Sequence, residues 1–396
     1  MNYKRNLRKN INLNYLFIFL NRLDLTQGVW MIYLASRGLS LAKLGLLEGI
    51  FHITSFLMEV PTGAVADIYG RKASRTLGRV FCIISNILLI FSTNFYLFAL
   101  SFAILAISYN LESGAGEALL YDSLKELGEE KHYMKINGFN EMILEISCIF
   151  ALMLGGFLAH KNYLWPFALS AVFAGIALFE STFFQEPSLG KNKSLDSLHP
   201  LKVFKNQTLN SFKIVKSTKK ISLLIIFAEV MSVFGTSLFY YLQNYWKGNG
   251  LNEFKIGTIF AISSLINAFI APNVHKIEKL FKERALLIFL PITTCICIWC
   301  IAFTNYSYVF FIAIEILQTI MYIVTSNYLN KLILSENRAT ILSFQSMVFS
   351  FFMIFLFPLI GKIGDLFTLN TAFKFLGIAS GIFAILNVFI ICSKDN

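Results

Sequence analysis

Apolar stretches about as long as a membrane is thick recur along the whole 396-residue chain, and that length decides what the chain can fold into. An α-helix needs about 20 residues to cross a hydrocarbon layer of about 30 Å. Lipid offers no partners to backbone N–H and C=O groups, so blocks of this length read as helices that satisfy their own backbone. Twelve spans are expected, at 13–35, 41–65, 74–93, 95–121, 135–158, 163–184, 221–245, 254–272, 285–304, 306–330, 339–365 and 370–392. Composition agrees: 56% of residues are hydrophobic, 14% are charged and the mean hydropathy is +0.64. A soluble protein of this size has no core large enough to hide that much apolar surface. The basic N-terminus is followed by an apolar stretch that carries Asn21, Arg22 and Asp24, which reads as a retained first span rather than a cleaved signal. The expected fold class is therefore an all-α integral membrane protein.

The formal net charge of +11 invites a nucleic-acid partner, but its distribution describes a membrane topology instead. About 26 of the 34 basic residues fall in alternate loops and at the two termini. This is the positive-inside asymmetry, and it places both termini on the cytoplasmic side of the cell membrane. The longest polar stretch, 185–220, holds eight lysines with Pro187, Gly190 and Pro200. It divides the chain into an N-terminal half, 1–184, a basic cytoplasmic linker, 185–220, and a C-terminal half, 221–396, with six spans in each half. Two such halves with a solute site near mid-membrane are a common transporter plan. The cysteines Cys82, Cys148, Cys295, Cys297, Cys300 and Cys392 all fall in or at the end of spans and read as small buried hydrophobes.

Between spans two and three lies Gly63-Ala-Val-Ala-Asp67-Ile-Tyr-Gly70-Arg71-Lys72. This hairpin resembles the G-x-x-x-D-x-x-G-R-K signature of the major facilitator superfamily. The wider string from Glu59 to Asp67 is similar to its drug-exporter branch, and Ser113–Asp122 and Arg338–Ser343 add to the likeness. The resemblance implies a major facilitator fold, twelve helices in two six-helix halves, acting as a monomer. It also implies that Asp67 faces the start of span eleven near Arg338. Asp122, at the cytoplasmic end of span four, is expected to partner Arg71. Physical roles can be stated beside it. Gly63 is expected to admit a close helix approach. Gly70 permits a tight turn, and Arg71 and Lys72 anchor the hairpin at the cytoplasmic face. The chain departs from drug exporters at Asn110, where an arginine is common, and at Ala151–Gly156, which keeps paired glycines without the proline.

Ionisable groups inside the membrane are costly and are functional candidates by default. The candidates are Asp24, Glu48, Glu59, Glu112, Glu117, Glu141, Glu145, Glu229 and Glu315, opposed within the spans by Arg22 alone, so a strongly acidic interior is expected. Glu48, His52, Ser55, Glu59 and Gly63 recur at helical spacing on one face. Glu48 and His52 are one turn apart and suited to share a proton, or His52 makes a single interhelical hydrogen bond. Glu59 contacts substrate or packs. Asp24, near mid-span, either couples a proton or cation or forms an ion pair with another helix. Ser108, Glu112 and Gly116 share a face that Glu117 does not. Glu141 and Glu145, one turn apart, repel when both are ionised, which suits a proton carrier unless Glu141 is ordinarily solvated. Polar stripes run along Glu229, Ser232, Thr236 and Tyr240, and along Glu315, Gln318, Tyr322 and Thr325. Tyr240, Tyr241 and Trp246 are expected as interfacial anchors.

No nucleotide-binding, zinc-protease or nucleophile-elbow motif occurs, so neither an enzyme nor a cofactor or metal is expected. The first expectation is a secondary transporter exporting small lipophilic or cationic compounds against protons or another coupling ion. The second is an importer or exporter of one metabolite, such as a peptide, a siderophore-like compound or a sugar. Binding without transport is the third.

Overall fold

A computed structural model describes residues 2–188, 219–332 and 338–392; no strand occurs among them. Most of the basic linker, 189–218, lies outside the described residues, as do Lys394 and the side chains of Arg338, Ser343 and Cys392. In chain order the helices are α1 Asn2–Arg22, α2 Trp30–Ser36, α3 Leu41–Tyr69, α4 Arg71–Phe91, α5 Phe95–Glu112, α6 Ala115–Leu127, α7 Tyr133–Lys161 and α8 Leu164–Ser181. They continue as α9 Lys219–Gly248, α10 Glu253–Ile270, α11 Val274–Phe303, α12 Ser307–Leu332, α13 Arg338–Leu366 and α14 Leu369–Cys392.

Ten stretches among the described residues are long and apolar enough to cross a membrane. One of them, Glu253–Phe303, holds both α10 and α11. The loop expected between those spans is mostly helical, and the bend falls at Lys282, whose φ of 58° interrupts α11. Two expected spans are broken. The first, 13–35, divides into α1 and α2 around Leu23–Val29. There Asp24 turns its carboxylate on its own chain: Oδ1 accepts from the Thr26 N–H at 3.0 Å and from Thr26 Oγ1 at 2.6 Å. A short acidic side chain that bonds the backbone two residues on competes directly with the helix. The fourth, 95–121, breaks at Ser113 and Gly114 between α5 and α6.

The chain forms two compact units, residues 1–29 with 50–206 and residues 30–49 with 207–396. The boundary passes through α3, between Gly49 and Ile50.

In the first unit α4 is the hub, packed on α5, α6 and α8. Its inward face is polar: Ser74, Arg75, Arg79, Ser85 and Asn86 are all buried. In lipid a polar stripe turns to protein, the reverse of a soluble helix. Small hydroxyl residues close the α4–α5 seam. Ser85 and Ser101 each donate to the other's carbonyl, at 3.0 and 2.9 Å, and Ser108 Oγ donates to the Gly78 carbonyl at 2.8 Å. The apolar side of the unit joins Phe17 and Leu20 of α1 to Leu119, Ala177 and Phe184.

In the second unit α9 packs on α2, α10, α12, α13 and α14. Its core is aromatic: Trp246, Phe260 and Phe311 meet with centroids 5.3 to 5.6 Å apart. Trp246 Nε1 donates to Ser307 Oγ at 2.8 Å and the Tyr241 hydroxyl donates to the Phe357 carbonyl at 2.7 Å. These two residues are 2% and 0% exposed, which corrects their reading as interfacial anchors. Each buries its ring and satisfies its one polar atom internally. Tyr240 sits edge-on to Trp30 and to Phe357.

Candidate functional site

A cavity of about 420 Å³ opens inside the first unit, walled by α1, the Leu23–Val29 break and α4 to α8. Its walls carry Arg22, Asp24, Arg75, Arg79, Glu112, Glu117 and Glu141, together with six side-chain amides.

Arg75 organises one wall. It is 1% exposed, and its Nη2 lies 2.9 Å from Glu112 Oε1. Nε reaches both Glu112 oxygens at 3.1 and 3.2 Å, and Nη1 donates to Asn14 Oδ1 at 2.9 Å. The guanidinium lies 4.0 Å from the Phe17 ring centroid and 4.9 Å from that of Phe184. Asn14 passes the network on to Asn140 of α7 at 3.2 Å. A buried ion pair holds only when its remaining donors are satisfied, as they are here.

Arg79, one turn further along α4, is 5% exposed. Among the described residues it has no hydrogen bond and no ion pair; the Phe17 ring lies 5.8 Å away. The expectation of an acidic interior opposed by Arg22 alone is therefore corrected. Arg75 and Arg79, read from the sequence as loop cations, are buried in the first unit and change its charge balance.

The other candidates divide by place. Asp24, Glu112, Glu117 and Glu141 meet around the cavity, whereas Glu145 is not on its wall. Asp24 does not sit within a helix but in the break between α1 and α2. Glu48 and His52 are buried at 7% and 6% exposure, and Glu59 is half-buried. Ser55 and Asn110 tie α3 to α5, with Ser55 Oγ 2.8 Å from Asn110 Oδ1 and Asn110 Nδ2 2.6 Å from the Ser55 carbonyl. In the second unit Glu229 accepts from Gln345 Nε2 at 3.2 Å. Glu315 is half-buried with no hydrogen bond or ion pair among the described residues. Its expected stripe splits: Gln318 donates to the Met231 carbonyl at 2.6 Å, while Tyr322 is 69% exposed.

At the α3–α4 hairpin, Asp67 pairs with Arg71 at 2.9 Å, and Arg71 Nε stands 4.0 Å from Asp122 Oδ2. Lys72 Nζ donates to the Thr182 carbonyl at 2.6 Å. Gly70 has φ 102°, and a Cβ there would come within 2.7 Å of the Glu186 carboxylate. That carboxylate accepts from the Arg71 and Lys72 N–H groups at 2.7 and 2.8 Å. Glu186 thus caps α4, whose own N-cap residue has no side chain to offer. Gly63 meets nothing within 4 Å of a Cβ, so the close approach expected of it is absent among the described residues. The close approach occurs instead at Gly155, where a Cβ would run into the Leu25 carbonyl.

Arg75, Arg79, Asn14 and Glu186 were not singled out from the sequence. A signal existed for the first two: Arg75, Arg79, Cys82 and Asn86 recur at steps of three and four along a span.

The model of the Major Facilitator Superfamily matches residues 15–333, most of the chain. The chain belongs to that superfamily. As a superfamily member it is a multi-pass membrane transporter. It is 24% identical over 262 residues to the uncharacterized MFS-type transporter YxaM of Bacillus subtilis (strain 168). That match covers 65% of this chain and 64% of the relative, so it spans somewhat less than two thirds of the relative's length. Among solved structures, the fold is similar to a mutant form of the nucleoside transporter NupG, with a TM-score of 0.79 at 13% identity over 98% of this chain and 99% of that one. It is also similar to a D-xylose–proton symporter, with a TM-score of 0.73 at 14% identity over 98% and 97% of the two chains. A POT family transporter in complex with 5-aminolevulinic acid gives 0.72 at 14% identity over 97% and 96%. At these identities the likeness is one of fold.

Proposed function

We propose that this protein is a secondary transporter that moves one small polar metabolite across the cell membrane, coupled to protons. The observation that carries this reading is the cavity of the first unit. Its walls hold both signs of charge and six amides, a lining that replaces the hydration shell of a polar solute. Tyr109 is the one aromatic ring among the lining residues, so the stacking partners that favour a lipophilic cation are few there. The named solutes of the structural neighbours, a nucleoside, a sugar and 5-aminolevulinic acid, are likewise small and polar. Drug export, suggested by the Glu59–Asp67 string, is the second reading, and it rests on that string.

The same reading takes twelve spans rather than ten. Glu253–Phe303 counts as two helices, and α1 with α2 forms a broken first span. Both termini lie in the cytoplasm, and the protein works as a monomer. Asp24 is the first choice for proton coupling, since it lines the cavity and has no ion pair among the described residues. Asp24→Asn keeps an oxygen to accept from Thr26, so the turn survives and the charge is removed. Gradient-driven accumulation is expected to be lost while solute exchange at equal pH persists. Full gradient-driven activity in that variant removes Asp24 from the coupling.

The test of the function is counterflow in proteoliposomes, with sugars, nucleosides, amino acids and small peptides set against lipophilic cations. Exchange of a polar solute supports the proposal; exchange confined to lipophilic cations restores the drug-export reading.

A further inference from the structure

The cavity of the first unit carries a cation and carboxylates that lack partners on its wall. Arg79 is buried and has no hydrogen bond or ion pair among the described residues. Its Nε is buried with no acceptor, and the guanidinium lines the cavity, where a solute could supply one. Arg75, one turn before it, shows what satisfaction requires on this helix: a carboxylate, an amide oxygen and a ring. Asp24 acts on the same neighbours as Arg79, namely Cys82 and Tyr109, but does not reach it as an ion pair, and its Oδ1 is committed to Thr26. Glu117 and Glu141 act on one another on the same cavity wall, with Arg22 acting on Glu141. Both carboxylates are exposed, and neither has a hydrogen bond or ion pair among the described residues. At about 420 Å³ the space lies within the range of about 300–1,000 Å³ usual for small-molecule sites.

Building on the transporter reading above, we infer that the solute is dipolar: its carboxylate, or an oxyanion of like size, pairs with Arg79, and its ammonium group faces Glu117 and Glu141. The planar fork of an arginine fits a carboxylate through two parallel hydrogen bonds. The Phe17 ring 5.8 Å away covers part of it, and its Nε is out of reach of water. A dipolar solute also leaves the formal charge of the cavity unchanged.

The first test needs no knowledge of the solute. Cys82 lines the cavity within the field of Arg79. In the full chain with the other five cysteines replaced, its modification by an anionic sulfonatoethyl methanethiosulfonate is compared with that by the cationic trimethylammonium analogue. We expect the anionic reagent to be favoured by about tenfold, a preference that falls with salt and reports local focusing of charge. Arg79→Gln should bring the ratio to about one, and Arg79→Lys should largely keep it, because the attraction needs the charge and not the fork. Equal rates in the protein with Arg79 intact, a cationic preference, or no reaction at Cys82 would each overturn the proposal without any variant having to fold. A ratio that moves with Asp24→Asn but not with Arg79→Gln would also overturn it.

The second test is counterflow with amino acids and dipeptides, each paired with its C-terminal amide and its N-acetyl derivative. At least one dipolar member should exchange, with both neutralised partners at least about tenfold weaker, as loss of a buried charge-assisted contact requires. Exchange confined to uncharged sugars or nucleosides would overturn the dipolar solute and leave the transport reading standing. No exchange of any solute by folded protein would remove the transport reading, and the dipolar solute with it.

Discussion

The interiors of the two units differ in what they pack around their hub helices. In the first, the hub helix α4 turns two arginines and an asparagine inward, and seven charged residues share the wall of one cavity. In the second, Trp246, Phe260 and Phe311 close on one another around α9. The second unit does have a cleft, of about 290 Å³, where six leucine, isoleucine and phenylalanine side chains share the wall with Arg284, Asn387 and the Lys220–Glu283 pair at 2.7 Å. Aromatic packing is stable without further conditions, whereas buried charge must be matched group by group. The difference lies in the cations: the buried arginines among the described residues, Arg75 and Arg79, are in the first unit, whereas the second buries Glu48, Gln243 and Glu253, and ionisable groups inside a membrane are candidates for handling a solute.

The largest effect that would break the comparison comes from Glu112. Glu112→Ala leaves Arg75 buried without its counter-charge, which is expected to cost about 3–5 kcal/mol. It should abolish transport together with thermal stability in detergent, and an unchanged unfolding temperature would show that the network does not hold the unit. In the second unit Trp246→Ala should cost about 3–5 kcal/mol by opening a cavity. Here the protein that survives should still exchange solute, so a solute-specific loss at full stability would move the site toward the aromatic cluster.

Smaller effects sharpen the same contrast. Gly155→Ala drives a methyl against the Leu25 carbonyl and should cost about 1–3 kcal/mol by overpacking. It should also shift Asp24, so transport should fall further than stability does; equal losses would separate the break from the cavity. Least of all, Glu186→Gln weakens the cap on α4 by about 1 kcal/mol. A small fall in unfolding temperature with transport intact is expected, and loss of transport at full stability would give Glu186 a role beyond the cap.

Much of the fold could be read from the sequence because lipid makes hydropathy decisive. The span boundaries of α7, α12 and α14 come within a few residues at most of their ends, and the hairpin motif placed Gly70 at its turn. What was missed was local or long-range chemistry. The break at Leu23–Val29 depends on one carboxylate choosing its own backbone over the helix, which hydropathy does not register. Arg75 and Arg79 follow a cluster of loop cations, so charge counting assigned them to the loop. Their spacing with Cys82 and Asn86 carried the opposite message. Trp246 and Tyr241 lie near a span end, where rings often anchor, and only their partners Ser307 and Phe357, far along the chain, show that they are core.

The most direct measurement is a cryo-EM structure of the full chain in nanodiscs with the solute that counterflow selects. The solute should lie in the first unit, within hydrogen-bond reach of Arg79 and beside Glu117 and Glu141. Solute density against Trp246, Phe260 and Phe311 in the second unit, with the arginine cavity holding none, would contradict the account.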